Sequence, residues 1–348
     1  MGSTWGVPAA LTATALLLAC ESPSGNVSPA PQPSAIPTAA PSPSAAASAD
    51  PAAWMWQRYE SPADAGEPGM LARPLSPVRA ERLADEVQEH LRAADLALDG
   101  RRTIVVEDSF VVAQGDEQAP IDQVADEVRR ETAFLWRKAF THRLYHAVTL
   151  YVFQKRSTYE AFRRTYGPRD SRSSDISFFS PEDRVGFVCM EGGGIGDARH
   201  EAAHPLQNED APNISRVLGE GIPELFEVVS WDAAGNPRFE PHYRLQSLRT
   251  ALRRADFAPR VRLDYLFSLG DQAKFDASGA LGRALAREAL RFLAAKYDLW
   301  GFYARAREGV IDDPTAERAL AATTGGKSPA DLTPEFVAWI QSAEAGPL

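Results

Sequence analysis

The sequence DARHEAAHP at residues 197–205, followed by GEGIPELFE at residues 219–227, is the part of the chain around which the rest is organised. It contains the pattern HExxH. Residues four apart on an α-helix share one face, so His200 and His204 can direct imidazole nitrogens at one metal ion. Glu201 lies about 100° around the helix from His200, where its carboxylate can take a proton from water. This spacing predicts a zinc-binding helix.

A third protein ligand is expected, because a catalytic zinc usually has three protein ligands and an open position. Glu220 is the candidate. The stretch 205–219 separates it from His204, which is enough chain to turn and start a second helix. Glu224 lies one turn further on the same face, where it could accept a hydrogen bond from the ring N–H of a liganding histidine.

The two motifs resemble those of a known family. HEAAH followed by EGIPELFE resembles the gluzincin metallopeptidases, the thermolysin-like group, and more narrowly the bacterial peptidase MA-like domains, whose second motif reads EG-x-x-E-x-F. The likeness is strongest over residues 200–227, and a weaker one in the order of elements extends over about 102–342. The resemblance implies hydrolysis of a peptide or protein substrate. The implied roles are zinc ligand for His200, His204 and Glu220, general base for Glu201, and support of a liganding histidine for Glu224.

Pro205 departs from the family pattern. A proline ring inside a helix clashes with the carbonyl group four residues earlier, here that of Glu201, and removes one helical hydrogen bond. The sequence therefore predicts that the helix kinks or stops at Pro205. Both histidines precede the proline, so their relative placement can be kept.

The residue that would stabilise the oxyanion is left open by the sequence. A gluzincin usually places a histidine or tyrosine from its C-terminal part over the zinc for this purpose. The candidates in this chain are His242, Tyr243, Tyr265 and Tyr297. For each of them, a role in packing is the simpler interpretation.

The periodicity of apolar residues predicts an α+β fold. Before the HExxH helix it indicates a small mixed sheet with helices, whose edge strand could bind an extended peptide by main-chain pairing. After Glu227 the pattern is helical, which indicates a mostly helical C-terminal lobe. Cys189 ends a β-like run and is expected to be a buried structural residue. The predicted strands are 103–106, 110–112, 147–153, 176–180 and 185–190, and the predicted helices are 76–98, 121–140, 157–166, 241–254, 262–268, 278–296, 298–307, 314–321 and 333–342.

The N-terminal region predicts export and attachment to a membrane. Residues 1–20 have a short apolar run that ends in Leu-Leu-Ala-Cys20, which resembles a bacterial lipobox and implies a lipidated cysteine at the cell envelope. Residues 21–53 are rich in Pro, Ser and Ala and predict a disordered linker. Residues 54–204 then form the α/β part ending in the HExxH helix, and residues 205–348 form the helical lobe. Together they make one catalytic unit.

Composition excludes one class of function. The net charge of −10 and a pI near 5.2 argue against a sequence-independent nucleic-acid binder, which needs a basic face to neutralise phosphates. A cell-surface binding or scaffold protein with a degenerate peptidase fold is the alternative, motivated by Pro205, Pro223 and the unassigned oxyanion residue. The sequence leaves substrate and oligomeric state open.

Overall fold

The computed structural model of the chain describes residues 70–166 and 177–346. The expectations for residues 1–53, including lipidation of Cys20, lie outside the described residues. Within these ranges the fold is α+β, as predicted, with a five-stranded mixed sheet, a two-stranded sheet and eleven α-helices. No helix in the described ranges combines the length and the hydrophobicity needed to cross a membrane.

The elements follow the predicted order, with ends shifted by a few residues. The strands are β1 (Thr103–Val106), β2 (Phe110–Gln114), β3 (Val148–Phe153), β4 (Phe178–Ser180), β5 (Val185–Cys189), β6 (Val229–Trp231) and β7 (Pro237–Phe239). The helices are α1 (Pro77–Leu98), α2 (Ile121–Lys138), α3 (Arg156–Tyr166), α4 (Met190–Asp210), α5 (Arg216–Phe226), α6 (Tyr243–Leu252), α7 (Leu263–Ser268), α8 (Gln272–Lys296), α9 (Leu299–Glu308), α10 (Glu317–Thr323) and α11 (Pro329–Gln341).

The main sheet has the strand order β1-β2-β3-β5-β4. Strands β2, β3 and β5 are parallel, and β1 and β4 pair antiparallel at the two edges. All six residues of β3 are buried. This burial is expected of a central parallel strand, because its crossover connections place helices on both faces of the sheet.

Alternate residues of β3 face the two sides of the sheet. Leu150 and Val152 join the main hydrophobic core, whereas Tyr151 and Phe153 join a separate cluster on the other face. The period of two follows from the pleat of a strand. Helices α2 and α4 contribute to the main core, and α1 and α3 contribute to the second cluster. The free thiol of Cys189 is buried in that second cluster, which confirms its structural role.

The main core continues through the C-terminal helices. It includes side chains from Val106 in β1 to Ala345 beyond α11, and therefore from both sides of the predicted division at residues 204 and 205. Helix α4 crosses that division. The sheet and the C-terminal helices are thus built around one core, and the two parts meet at the HExxH helix.

The expected kink at Pro205 is wrong. Helix α4 continues through the proline to Asp210, and its non-helical backbone angles lie earlier, at Glu191, Gly192 and Gly194. A proline inside a helix costs about 3 kcal/mol. The following turn is held by tertiary contacts: the Gln207 side-chain amide donates to the carbonyl oxygen of Leu218 at 2.9 Å.

The last residue of α4 is held by two other segments, the chain that follows α2 and helix α9. The Asp210 carboxylate accepts hydrogen bonds from the Thr141 backbone N–H at 2.6 Å, the Tyr303 hydroxyl at 3.0 Å and the Arg307 guanidinium at 2.9 Å. Asp210 is buried. A buried carboxylate needs such partners, because an unpaired charge in the interior is costly.

Asp197 lies within α4 and not at its N-terminus. The helix begins irregularly at Met190, and Gly192 and Gly194 have φ values of 112° and 68°. Only glycine adopts such angles without strain. Asp197 therefore lies inside the helix, where its carboxylate accepts a hydrogen bond from the Ser177 hydroxyl at 2.7 Å.

A β-hairpin interrupts the region that was predicted to be helical after Glu227. Strands β6 and β7 pair antiparallel, and the turn between them uses Gly235 at a φ of 72°. The Asp232 carboxylate accepts hydrogen bonds from the backbone N–H groups of Ala234 and Asn236. Each strand has only three residues, too few to show an alternating pattern.

Candidate metal centre

Helix α4 and the end of α5 approach each other at Gly196. A Cβ atom at this position would lie 2.6 Å from the carbonyl oxygen of Glu227. His200 follows Gly196 by one turn on the same face of α4, so its imidazole lies beside the Glu227 side chain. The two groups form an ion pair, with Nδ1 of His200 3.2 Å from Oε1 of Glu227.

The structure brings together the three residues predicted as metal ligands. Nε2 of His204 lies 3.1 Å from Nε2 of His200, and Oε2 of Glu220 lies 4.0 Å from the same nitrogen. One ligand atom from each residue falls within 4.8 Å of the other two. Ligand atoms about 2.0–2.1 Å from a tetrahedral zinc are about 3.3 Å apart, so this donor set fits the ion. His200 and Glu220 are buried, whereas His204 is partly exposed.

Glu220 is directed at the histidines by its position on α5. Gly221 packs against α8, where a Cβ atom would lie 2.7 Å from the Leu290 side chain, and Ile222 is fully buried. Arg216, one turn before Glu220, pairs with Oε1 at 2.5 Å. The other carboxylate oxygen, Oε2, is the one nearest to His200.

Glu201 lies between the metal ligands and the sheet. Its Cβ atom is 3.8 Å from the position that a Cβ atom of Gly186 in β5 would occupy. The side chain is buried, and Oε2 has no hydrogen-bond partner among the described residues. Burial raises the pKa of Glu201 to about 8, and the charges of Asp197 and Glu220 act in the same direction. The charge of His200 acts to lower this pKa but is outweighed. A carboxyl group with such a pKa can both accept and return a proton near neutral pH.

The residue next to Nδ1 of His200 is Glu227 and not the predicted Glu224. Glu224 is fully buried and pairs with Arg244 of α6 at 2.5 Å. Arg244 also contacts Glu227, through the second carboxylate oxygen. Atoms of His200, Glu224 and Glu227 fall within 4.8 Å of one another, so they form a second group with the right atoms for a metal ion. The guanidinium of Arg244 supplies the positive charge there.

Charges in the site set the protonation of the ligands. Burial lowers the pKa of His204 to about 3, although the charge of Glu220 acts to raise it. His204 is therefore neutral at neutral pH. Burial acts to raise the pKa of Glu220, but the interactions with His204 and Arg216 outweigh it and lower this pKa. Both side chains are therefore in the form that binds a metal ion.

His200 and Glu227 form a charged pair. Burial acts to lower the pKa of His200, but the Glu227 carboxylate and the charge of Glu201 outweigh it and raise the pKa to about 10. Burial acts to raise the pKa of Glu227, but the interaction with His200 and the charge of Arg244 lower it to about 2. Because Nδ1 faces Glu227, His200 needs to release only its Nε2 proton to become a ligand.

The four candidates for oxyanion stabilisation differ in their contacts. Nε2 of His242 is 3.8 Å from Oε2 of Glu227, so it borders Glu227 rather than the ligand nitrogens. Tyr243 is 66% exposed, and Tyr265 packs against the main core. The hydroxyl of Tyr297 donates to Glu335 at 2.9 Å.

A cation that sequence reasoning did not identify lies near the ligands. Arg283 is on α8, one turn before Ala286, whose carbonyl oxygen approaches the Gly221 position of α5 to 3.4 Å. The charge of Arg283 acts on Glu201, His204 and Glu220 and opposes the protonated form of each. Arg283 has no motif of its own.

Glu227 had a sequence signal that was not used. It follows Glu220 by seven residues, a spacing that keeps two residues on one helix face. Arg244 had no such sequence signal, because its position relative to Glu227 depends on the hairpin between α5 and α6.

A scan of the chain against protein-family models finds no match, and neither does a search of curated proteins. The function is therefore argued from the site itself.

Proposed function

We propose that the protein is a zinc metallopeptidase that hydrolyses peptide bonds. The observation that carries the proposal is the convergence of His200, His204 and Glu220 beside Glu201, a buried carboxyl group with an unpartnered oxygen. Two imidazole nitrogens and one carboxylate oxygen are the protein ligands of many catalytic zinc sites, which keep a fourth position for water or substrate. Of the three proposed ligands, His204 is the one that is partly exposed.

Zinc in such a site would polarise a carbonyl group and make water acidic enough to attack it at neutral pH. The side chains of this protein supply the proton transfers. Glu201 takes a proton from the attacking water and passes it to the leaving amine nitrogen. Glu227 holds His200 in the tautomer that presents Nε2, and Arg216 holds Glu220.

Arg283 is our candidate for stabilising the oxyanion that forms on the attacked carbonyl group. A guanidinium near the ligands could balance negative charge that develops during the reaction, which is the function of an oxyanion hole. The proposal replaces His242 and Tyr265 in this role. It is supported by the position of Arg283 on α8, one turn before Ala286, whose carbonyl oxygen approaches Gly221 beside Glu220.

An extended peptide has a binding edge close to Glu201. Strand β4 is the terminal strand of the main sheet, and its Phe179 is paired with Gly186 of β5, which lies against Glu201. An added strand at this edge would gain main-chain hydrogen bonds largely independent of its sequence. We therefore propose peptides or unfolded protein segments as substrates.

The proposed location is the bacterial cell envelope, with the enzyme anchored through lipidated Cys20. The support is the sequence Leu-Leu-Ala-Cys20 after a short apolar run, followed by the linker. Labelling with a radioactive fatty acid in a bacterial host tests it. Label that is absent from a Cys20→Ser variant is the expected result, and equal label in both would refute the anchor.

Metal content and peptide cleavage together test the proposed activity. The purified protein should contain about one zinc per chain and cleave members of a peptide library. His204→Ala should lose both zinc and cleavage, because a ligand is removed. Zinc bound without any cleavage would favour the alternative, a binding or scaffold protein. A protein that binds no zinc would refute the proposal.

A further inference from the structure

The imidazole of His200 faces two different groups of acidic or basic side chains. Its Nε2 faces His204 and Glu220, while its Nδ1 faces Glu227 and Glu224. Either nitrogen of a histidine can bind a metal ion. The second group contains two carboxylates, and carboxylates attract divalent cations. A cation could therefore bind at Nδ1 of His200, together with Glu224 and Glu227, instead of at Nε2.

Arg244 fills the second group. One of its terminal nitrogens lies 2.5 Å from Oε2 of Glu224 and also contacts Oε2 of Glu227, so it bridges both carboxylates. The Arg244 side chain is only 13% exposed. The guanidinium stands where a cation coordinated by both carboxylates would stand.

The contact with Glu227 uses only one of its two oxygens. Oε2 contacts Arg244, while Oε1 lies 3.2 Å from Nδ1 of His200. Arg244 therefore holds the carboxylate in the orientation that occupies Nδ1. The second oxygen of Glu227 also has His242 3.8 Å away, which limits its rotation.

We propose that Arg244 is a positioning residue that reserves Nε2 of His200 for the metal and keeps Glu224 and Glu227 from binding a second cation. This proposal rests on the proposed zinc site. Without Arg244, the two buried carboxylates lose their balancing charge and become ligands, with Nδ1 of His200 as the third. The arginine thus sets both the number and the position of bound metal ions.

Metal stoichiometry of the full chain tests the proposal, measured by equilibrium dialysis against zinc followed by elemental analysis. Wild type should bind one zinc per chain. Arg244→Met, which keeps the length of the side chain and removes the charge, should bind two or more. Arg244→Lys restores a positive charge and should return to one. Arg249→Met is the matched control, because Arg249 is also buried but binds backbone carbonyl groups of Ile340 and Ser342.

A double variant separates this proposal from the zinc site itself. His204→Ala should bind no zinc, because Arg244 blocks the other group, and the His204→Ala/Arg244→Met protein should regain one. If His204→Ala alone still binds zinc tightly, the proposed metal site is wrong. If His204→Ala binds none and the double variant also binds none, the zinc site stands and the blocking role of Arg244 is refuted.

A further pair of variants keeps the test decisive if Arg244→Met does not fold. Glu227→Gln should weaken zinc binding about 10–100-fold, the usual effect of losing the partner of a liganding histidine. Glu224→Gln should leave zinc affinity within about threefold, because Glu224 contacts Arg244 and no ligand nitrogen directly. Equal effects of the two substitutions would overturn the proposed orientation of Glu227.

Discussion

Replacing Glu201 by glutamine should abolish most of the proposed peptidase activity and leave the proposed zinc binding intact. The substitution keeps the shape of the side chain and removes the proton acceptor. Loss of general-base catalysis lowers rates by about 10²–10⁴-fold, which corresponds to about 3–5 kcal/mol in the activation barrier. Zinc content should stay at one per chain, because the proposed ligands are His200, His204 and Glu220.

The structure also predicts the effect of Glu201→Gln on stability in the metal-free protein. Burial, with the charges of Asp197 and Glu220, raises the pKa of Glu201 from 4.5 to about 8. Because the folded-state pKa is the higher one, this carboxyl group lowers stability progressively as pH rises from about 4.5 to 8. At pH 7 the span of about 2.5 pH units corresponds to about 3 kcal/mol. Glutamine does not titrate, so metal-free Glu201→Gln should be about 3 kcal/mol more stable than wild type at pH 7, and equally stable at pH 4.

Two assays check this prediction. Cleavage of a peptide library by zinc-loaded protein gives the activity, and urea unfolding of chelator-treated protein at pH 4 and pH 7 gives the stability. Glu317→Gln, an exposed position on α10, serves as control and should change neither. Turnover by Glu201→Gln within tenfold of wild type would refute the assigned base. A variant that is less stable than wild type at pH 7 would refute the raised pKa.

Three other predictions concern the surroundings of the site. Gly196→Ala should destabilise the fold by about 1–3 kcal/mol, because its Cβ atom would lie 2.6 Å from the Glu227 carbonyl oxygen, whereas Gly219→Ala in helix α5 has space and should be neutral or stabilising in urea unfolding. Zinc affinity, measured by competition with a chelator, should rise about tenfold per pH unit near neutrality for each proton displaced, because His200 must release one proton to bind zinc. A zinc affinity that does not change with pH would contradict this. Asp210→Asn should cost about 3 kcal/mol at pH 7. Burial acts to raise the Asp210 pKa, but contacts including Arg307 lower it below the unfolded value. The stability difference between variant and wild type should therefore persist above about pH 4 and shrink as pH falls further. A stability difference that does not depend on pH would contradict this reasoning.

Local patterns were sufficient to predict most of the helices and strands. The apolar spacing at Leu83 and Val87 placed α1, and the run at residues 147–153 placed β3, because burial of one face or of both leaves a clear period in the sequence. The pattern could not show that Pro205 lies inside a continuous helix. That outcome depends on Gln207 and Asp210, which are held by residues distant in sequence.

The structure brings the three predicted ligands together, but the residues that surround them do not follow from the motif. His200 and His204 are related by helix geometry, and Glu220 lies near them once α5 packs beside α4. The choice of Glu227 over Glu224 depends on how closely Gly196 lets the two helices approach. No local pattern encodes that distance.

The anchoring of Asp210 has a consequence for biosynthesis. Thr141, Tyr303 and Arg307 lie on both sides of Asp210 in the chain, and Arg307 is synthesised 97 residues after Asp210. A nascent polypeptide that stops before it cannot brace the end of the HExxH helix. Translation must therefore continue well beyond the HExxH motif before the end of this helix is held in place.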